Sequence, residues 1–377
     1  MTSHSRVRSM VGVACLASAS WCLPFGDMAH ADQSLVARST IPVKQAAENE
    51  DIGFRRGSFI AAPIPFSNPL IETGLALGLG YLFQADPDSG TSVLGVGGLK
   101  SSNGSEAFGL TVNLSLDADR WNFGGTFADA DLNYDLIFNS LKIPISQTGT
   151  LGRVYVTRQV APNLSLGLMG RYLSTELSSG ASSFGATPPN YSLLGGVETL
   201  SYGVSAEFDT RDSDIYPRSG RRLYVTALGN EPSTDLIGTY DVYTAVANSY
   251  HALGEDSVLA FQAVGCATSE TAPFYDLCSI GGTDSMRGFN PTKFLDGRLA
   301  SLQVEYRRQM SKRFGLVAFA GAGAVGASFG DLDDYGIAGG VGLRIGVSKT
   351  LPVNFAIDVS HNHLNETLLY LSVGERF

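Results

Sequence analysis

The stretch Gly74-Leu75-Ala76-Leu77-Gly78-Leu79-Gly80-Tyr81 decides the fold class of this chain. A large apolar residue occupies every second position, and glycine or alanine stands between. Successive side chains of a β-strand point to opposite faces, so this segment carries its bulky apolar groups on a single face. The pattern predicts a strand with one face turned to an apolar environment.

The same period of two recurs through the rest of the chain, in segments that include residues 108–115, 202–209 and 353–360. The segments are about 10 to 13 residues long, which suits tilted membrane strands better than the shorter strands of soluble sandwiches. Lipid cannot satisfy the hydrogen bonds of an open sheet edge, so a sheet of such strands has to close. The pattern therefore predicts an all-β fold, a transmembrane antiparallel β-barrel.

The composition agrees with a membrane barrel. The 377 residues include 44 glycines, 20 phenylalanines and 15 tyrosines, but only 16% are charged. No run of about 18 apolar residues follows the N-terminal region, which excludes helical membrane spans. The formal net charge of -10 is scattered along the chain. Because no basic patch is present in the sequence, nucleic acid is not expected as a partner.

Residues 1–31 have the layout of a secretory signal peptide. Arg6 and Arg8 form a positively charged start, an apolar stretch follows, and Ala29-His30-Ala31 matches a small-x-small cleavage site. We expect cleavage after Ala31 and a final location in the bacterial outer membrane.

The four cysteines divide at the predicted cleavage site. Cleavage would remove Cys15 and Cys22 and leave Cys266 and Cys278 in the mature chain. A pair of cysteines in an oxidising compartment, separated by a short polar stretch, is expected to form one disulfide inside a loop.

The strand pattern divides the chain into the signal peptide, a short periplasmic lead segment at residues 32–69, and a barrel domain at residues 70–377. The run Pro63-Ile64-Pro65-Phe66-Ser67-Asn68-Pro69 is interpreted as the end of the lead segment. An even number of strands puts both ends of the barrel domain in the periplasm, with residues 176–192 and 268–297 on the outer side. We predict sixteen strands, at residues 72–84, 91–101, 105–116, 119–126, 128–139, 148–160, 163–175, 193–209, 219–230, 236–252, 256–267, 298–310, 313–325, 336–348, 351–362 and 367–377.

Three segments resemble a known family. The residues concerned are Met286, Arg287, Gly288 and Phe289 in the long segment 268–297, Asp209, Arg211, Tyr216, Pro217 and Gly220 in a periplasmic turn, and the closing Phe377. Together they resemble the bacterial surface antigen family (BamA/TamA-type), the superfamily of outer-membrane barrel-assembly and two-partner-secretion transporters. The resemblance covers residues 60–377, and Phe377 would be its C-terminal barrel signal.

The resemblance implies that residues 268–297 form the sixth extracellular loop and that this loop folds back into the barrel. Arg287 would then lie in the lumen, where a desolvated guanidinium needs carboxylate partners. Strand alternation puts Glu305 on the lumen face, and we expect it as the main partner, with Asp358 as the second. The aspartate that the family carries on the thirteenth strand is replaced by Gly321. Gly288 is expected to allow a turn of the backbone.

The function that the resemblance implies is insertion, assembly or translocation of protein or lipid at the outer membrane. Weak pairing between the first and last strands would admit client strands without covalent chemistry. Outer-membrane lipids and client proteins or lipids are the implied partners. A passive diffusion pore and a structural surface antigen remain alternatives. The lead segment is too short for periplasmic receptor domains, so the chain resembles the branch that lacks them.

Neither catalysis nor a bound cofactor is expected. Residues 321–326 fit GxGxxG but lie in a strand pattern without a following helix. His361 and His363 have no evident third ligand for a metal. No serine stands in a nucleophile-elbow context, so a lipid-hydrolysing barrel is disfavoured.

Overall fold

A computed structural model describes residues 58–138, 141–179, 196–214, 216–281, 285–346 and 354–377. The predicted signal peptide 1–31, with Cys15 and Cys22, lies outside the described residues, as does most of the predicted outer segment 176–192. None of the helical structure in the described ranges is both long and apolar enough to cross a membrane.

Sixteen antiparallel strands form one closed barrel, as predicted. Consecutive strands are hydrogen-bonded neighbours, β11 pairs with β14, and β1 closes the cylinder against β18. A separate small hairpin, β12–β13, lies in the long segment between β11 and β14. The strands are β1 Ser58–Asn68, β2 Glu72–Phe83, β3 Ser92–Ser101, β4 Glu106–Leu116, β5 Trp121–Phe138, β6 Leu141–Ala161, β7 Leu164–Ser179, β8 Gly196–Asp209, β9 Gly220–Pro232, β10 Tyr240–Ala252, β11 Ser257–Thr268, β12 Cys278–Ile280, β13 Phe294–Asp296, β14 Arg298–Gln309, β15 Phe314–Gly326, β16 Asp334–Gly346, β17 Asn354–Asn362 and β18 Thr367–Val373.

The two faces of the wall differ in the sense that a membrane barrel requires. Leu75, Leu77 and Leu79 are 47%, 59% and 58% exposed on the outside of β2. On β14 the polar side chains of Gln303 and Glu305 are buried on the inside. A wall that is apolar outward and polar inward is stable only with lipid around it.

The barrel begins earlier than predicted, because part of the supposed lead segment 32–69 is strand β1. Ala62, Ile64 and Phe66 point inward and are buried, whereas Pro63 and Pro65 are exposed. Proline cannot donate a ladder hydrogen bond, so two prolines argued against a strand here. An edge strand tolerates them, and β1 is the strand that closes the barrel. The domain boundary at residue 70 was therefore wrong.

The predicted strands 119–126 and 128–139 are one strand, β5. Phe123 and Phe127 are exposed on its outer face, but beyond them Asp129 is exposed and Ala128 and Leu132 are buried. The apolar face thus changes from the outside to the inside, which we attribute to the strand leaving the lipid and packing on a protein core. The split of β5 offset the missed β1, so the predicted total of sixteen was correct for a partly wrong reason.

An apolar cluster fills the inside of the barrel toward the end where β1 turns into β2. Even-numbered strand parity makes this the outer end. Two residues of the long segment after β11, Phe274 and Tyr275, belong to the cluster. The cluster comprises Ala62, Ile64, Phe66, Leu70, Ile71, Ala76, Leu99, Ala128, Ala130, Leu132, Tyr134, Leu136, Ile145, Leu151, Leu173, Leu177, Phe274 and Tyr275.

Candidate functional site

The long segment between β11 and β14 contains regular structure, which sequence patterns did not predict. A 3₁₀ turn covers Phe274–Asp276, and the β12–β13 hairpin follows. A disulfide joins Cys266 and Cys278 with their Cα atoms 5.7 Å apart. Cys266 belongs to barrel strand β11, so the bond does not lie within a loop as expected. It ties the segment to the wall.

Asp276 anchors the same segment to strands β7 and β10. Its two carboxylate oxygens accept hydrogen bonds from Arg171 at 3.2 and 3.0 Å, and the hydroxyl of Tyr240 also donates to it. The side-chain oxygen of Asn230 accepts a further hydrogen bond from the Arg171 guanidinium over 2.8 Å. The planar donor fork of arginine matches a carboxylate in this two-bond geometry. Sequence reasoning missed the pair, and a lone arginine on the inward face of β7 was its only signal.

Arg287, which is 1% exposed, is paired on three sides. One terminal nitrogen donates to Glu305, and the other donates to Asp358 over 2.6 Å. Its main-chain N–H donates to Gln303 over 3.2 Å, and the ring of Phe319 lies 3.7 Å from its guanidinium carbon. A buried guanidinium needs such partners, because leaving a buried charge unpaired destabilises the folded protein by about 3–5 kcal/mol.

The Arg287 pairs belong to a larger buried network, here called the arginine cluster. Its side chains are those of three arginines and three acidic residues, so the side-chain charges balance. Arg307 donates to Glu305 over 2.6 Å, and Arg344 contacts Asp358 and lies 2.8 Å from Glu375. Arg307, Arg344 and Glu375 were not among the predicted site residues.

Gly321 stands where the resembled family has an aspartate, and the structure gives a steric reason for the change. A Cβ atom at this position would lie 3.2 Å from the sulfur of Met286 and 3.0 Å from the carbonyl oxygen of Leu302. Met286, which is 0% exposed, therefore occupies the room that a longer side chain would need. Asp358 supplies the second carboxylate instead.

Gly288 and Phe289 complete the predicted loop motif. Gly288 has φ +119, and a Cβ there would lie 2.2 Å from the Cβ of Ala338, so glycine is required both for conformation and for space. Phe289 is buried and packs edge-on against Phe294 at 5.2 Å between ring centres.

The C-terminus was predicted to continue as a strand to Phe377, but β18 ends at Val373. Gly374 has φ +90 and redirects the chain. Phe377 is buried among Tyr250 and inward residues of β11, and its carbonyl oxygen accepts a hydrogen bond from Arg307. The last residue thus lies inside the barrel beside the arginine cluster.

The predicted turn motif after β8 is held by its own aspartates. The guanidinium of Arg211 donates to Asp209 over 2.9 Å, and Gly220 has φ +101 at the start of β9. Pro217 belongs to the same turn. Asp212 accepts hydrogen bonds from the N–H groups of Arg218 and Ser219. Burial raises the pKa of Asp212, but these hydrogen bonds outweigh it and hold that pKa below its usual value.

Tyr216 connects this turn with the arginine cluster. The guanidinium carbon of Arg307 lies 5.9 Å from the centre of the Tyr216 ring, within the range of a cation–π contact. Burial is the main cause that raises the pKa of the Tyr216 hydroxyl. The loop motif and the turn motif are therefore linked through Glu305 and Arg307 of the arginine cluster.

The junction between β1 and β18, here called the seam, is the most weakly paired in the described wall. The two strands register only at Ser67 opposite Leu371. Ser67 also donates a side-chain hydrogen bond to the carbonyl oxygen of Leu369 over 3.2 Å. By contrast, β1 and β2 are registered along the whole of Ser58–Asn68.

The loop motif and the next loop residue, Asn290, contact opposite sides of the seam. The N–H of Gly288 donates to the hydroxyl of Tyr370 on β18 over 2.8 Å. The side chain of Asn290 donates to the carbonyl oxygen of Pro69, just after β1, over 3.0 Å. The side-chain amide of Asn362 on β17 donates a hydrogen bond to the carbonyl oxygen of Gly288 over 2.8 Å. This set of bonds, here called the clasp, joins strands that barely pair with each other.

The remaining chemical candidates lie apart from this site. Residues 321–326 belong to β15, within a sheet. His361 contacts Thr367 at 3.0 Å, and His363 stacks on Tyr335. Across the described ranges, no three His, Cys, Asp or Glu side chains are grouped to hold a metal ion.

Comparison with known proteins gives one family and several similar barrels. The family model described as "Omp85 superfamily domain" matches residues 99–377. BamA from Haemophilus ducreyi lacking POTRA domains 1–3 is similar with a TM-score of 0.61 and 16% identity, over 85% of this chain and 70% of that one. No curated protein matches.

Two further structures, both of CdiB, share the fold. CdiB from Acinetobacter baumannii has a TM-score of 0.58 and 10% identity, over 84% of this chain and 59% of that one. CdiB from Escherichia coli has a TM-score of 0.55 and 12% identity, over 83% and 62%. At these identities the likeness concerns the fold, and this chain spans about three fifths of either CdiB.

Proposed function

Since the chain belongs to the Omp85 superfamily, whose barrel fold implies the bacterial outer membrane, we propose that it inserts or translocates protein or lipid there through the β1–β18 seam. The observation that carries the proposal is the register of the seam at Ser67 and Leu371 alone. In lipid, each backbone group without a partner costs several kcal/mol, so a barrel wall is normally paired throughout. A junction with so little pairing is the cheapest place to open.

The clasp supplies what the seam lacks in strand pairing. Opening the seam separates Tyr370 from Pro69, so the bond from Gly288 or the bond from Asn290 has to break. Arg287 holds the clasp in place through Glu305 and Asp358, which stay on one side of the seam. A net hydrogen bond contributes only about 0.5–1.5 kcal/mol, so the clasp favours the closed state without locking it.

A passive diffusion pore requires an open lumen. The apolar cluster of inward-facing residues and the buried Arg171–Asp276 pair argue against an open lumen. We therefore favour the seam over the lumen as the route. Neither the clasp nor the arginine cluster combines a nucleophile with a general base and a general acid, so we propose no catalytic step.

The test is depletion of the protein in its native host, with complementation by the wild-type chain or by Arg287→Ala. We expect depletion to lower the outer-membrane content of protein, of lipid, or of both, and only the wild-type chain to restore it fully. Unchanged protein and lipid contents after depletion would contradict the proposal.

A further inference from the structure

The direction of the backbone groups in β1 follows from its two prolines. Pro63 lies opposite Leu77 and Pro65 opposite Leu75, within a register with β2 that is unbroken over the whole strand. Proline has no N–H, so the ladder with β2 is made by the even-numbered residues between and beside them. The odd-numbered residues of β1 therefore turn their backbone groups toward the seam.

The seam edge of β1 consequently lacks hydrogen-bond donors in its middle. Between Ala61 and Ser67 the edge offers the carbonyl oxygens of Pro63 and Pro65 but no N–H. This gap covers about 20 Å of strand, at about 3.3 Å per residue. A strand added here would leave its own carbonyl groups without donors inside the bilayer, where no water replaces them.

The pairing of β18 agrees with this gap. Its single registered partner on β1 is Ser67, the first residue beyond the prolines that has an N–H on the seam edge. Continuing the same antiparallel register would place Val373 opposite Pro65, and there the described strands are not paired. The native last strand therefore pairs with β1 only beyond the two prolines, and a client strand would lack the same hydrogen-bond donors.

Both faces of β1 are apolar, which is unusual for a barrel strand. Outward, Phe59 is 85% exposed and both prolines face the lipid. Inward, Ala62, Ile64 and Phe66 join the apolar cluster. Barrel strands normally alternate between an apolar outer and a polar inner face. A hydrocarbon chain beside β1 would thus meet apolar groups on both sides and would require no hydrogen bond.

We propose that the substrate class of this seam is a lipid, whose acyl chain passes the donor-free edge of β1, and not a client β-strand. The inference rests on the proposed function, because it assumes that the seam is the route. β-Augmentation derives its affinity from main-chain hydrogen bonds, and the central part of this edge has no N–H groups to donate them. Apolar burial is non-directional and needs no such bonds.

The test uses the full-length mature chain, purified and reconstituted in phospholipid vesicles. One assay follows the movement of a fluorescent phospholipid between leaflets, by quenching with dithionite. The other follows the folding of a urea-unfolded outer-membrane barrel protein into the same vesicles, by its heat-modifiable mobility. We expect at least tenfold faster lipid movement than in protein-free vesicles and no acceleration of barrel folding.

Pro63→Ala/Pro65→Ala restores both donors and gives opposite expectations for the two substrate classes. If lipid is the substrate, the N–H restored at residue 65 lets β1 pair with β18 as far as Val373, and lipid movement falls several-fold. If a client strand is the substrate, the two added donors accelerate barrel folding instead. The matched control is Pro144→Ala, an exposed proline in β6 away from the seam, which should move lipid like the wild type. Heat-modifiable mobility of each variant verifies that it has folded.

The outcomes separate this inference from the proposed function. Accelerated barrel folding without accelerated lipid movement, or faster lipid movement in the double proline variant, overturns the lipid assignment while the seam remains the route. Equal acceleration of both processes also overturns it. Acceleration of neither overturns the inference together with the function on which it rests.

Discussion

The side-chain amide of Asn290 donates a hydrogen bond to the carbonyl oxygen of Pro69 over 3.0 Å, across 221 residues of sequence. Two residues earlier, the N–H of Gly288 is bonded to Tyr370 on the other side of the seam. One short piece of loop thus holds together the first and last strands of the barrel. The closed state depends on the loop as much as on the strands.

Asn290→Ala removes one half of the clasp. We expect a loss of about 1 kcal/mol in the free energy of unfolding, the usual net value of such a bond, and a larger fraction of molecules with an open seam. The urea midpoint of the folded band measures the first effect. Asn122→Ala on β5 is the control, because it removes side-chain hydrogen bonds with Ser115 and Asp119 away from the seam and should lower the midpoint without opening the seam. Equal midpoints for Asn290→Ala and the wild type would show that the bond does not hold the seam.

Arg287→Ala removes one cation from the arginine cluster, so Glu305 and Asp358 keep only Arg307 and Arg344 as ion-pair partners. Removal of one partner from a buried ion pair costs about 3–5 kcal/mol, so barrel folding and the heat stability of the folded form should both fall. Arg287→Lys keeps the charge without the two-pronged geometry and should be intermediate. A variant Arg287→Ala with wild-type level and heat stability would refute the structural role of the pair.

Gly321→Asp restores the family residue but meets Met286. Overpacking of a filled site costs about 1–3 kcal/mol, so this substitution should destabilise the barrel although it adds the carboxylate that the family carries there. Shortening the neighbour in Gly321→Asp/Met286→Val should recover part of the loss. If Gly321→Asp alone were more stable than the wild type, the steric account of this position would be wrong.

Glu366 should make stability dependent on pH at the outer end of the barrel. Partial burial raises the pKa of Glu366. The hydrogen bonds with Lys293, at 2.7 Å, and with Asn362 lower it by more, so the pKa lies below its usual value. A carboxyl group with a lowered folded-state pKa stabilises above its unfolded pKa, and this contribution disappears as the pH falls through the folded pKa.

The corresponding measurement compares urea midpoints of the wild type and Glu366→Gln. We expect a lower midpoint for the variant at pH 6 and convergence of the two as the pH falls below about 4. A difference that stays constant down to pH 2 would show that ionisation of Glu366 is not responsible.

The limits of sequence reasoning have physical causes in particular elements. The period of two located most strands because lipid and lumen impose opposite polarities on the wall. It failed at β5, where the apolar face changes sides beyond Phe127, and at β1, where Pro63 and Pro65 imitate a loop. The lipid no longer sets the pattern in the outer part of β5, and β1 has a weakly paired edge that tolerates proline.

The site divides in the same way. Arg287 and Glu305 were found because a quoted motif and strand alternation pointed to them. Arg171 and Asp276 are 105 positions apart and meet only through the fold, and a sequence gives no sign of which inward charges will pair. The inward turn of Phe377 likewise depends on Gly374 and on Arg307, which strand periodicity does not reveal.

The measurement that tests the central claim most directly is a reversible lock across the seam. Ser67→Cys/Leu371→Cys places a disulfide at the one registered pair, and Ile357→Cys/Leu371→Cys ties the same β18 position to β17 as a matched control. In a host depleted of the native protein, we expect the seam lock to abolish restoration of outer-membrane content, reductant to bring it back, and the control to restore it throughout. Full restoration by the oxidised seam lock would contradict the account.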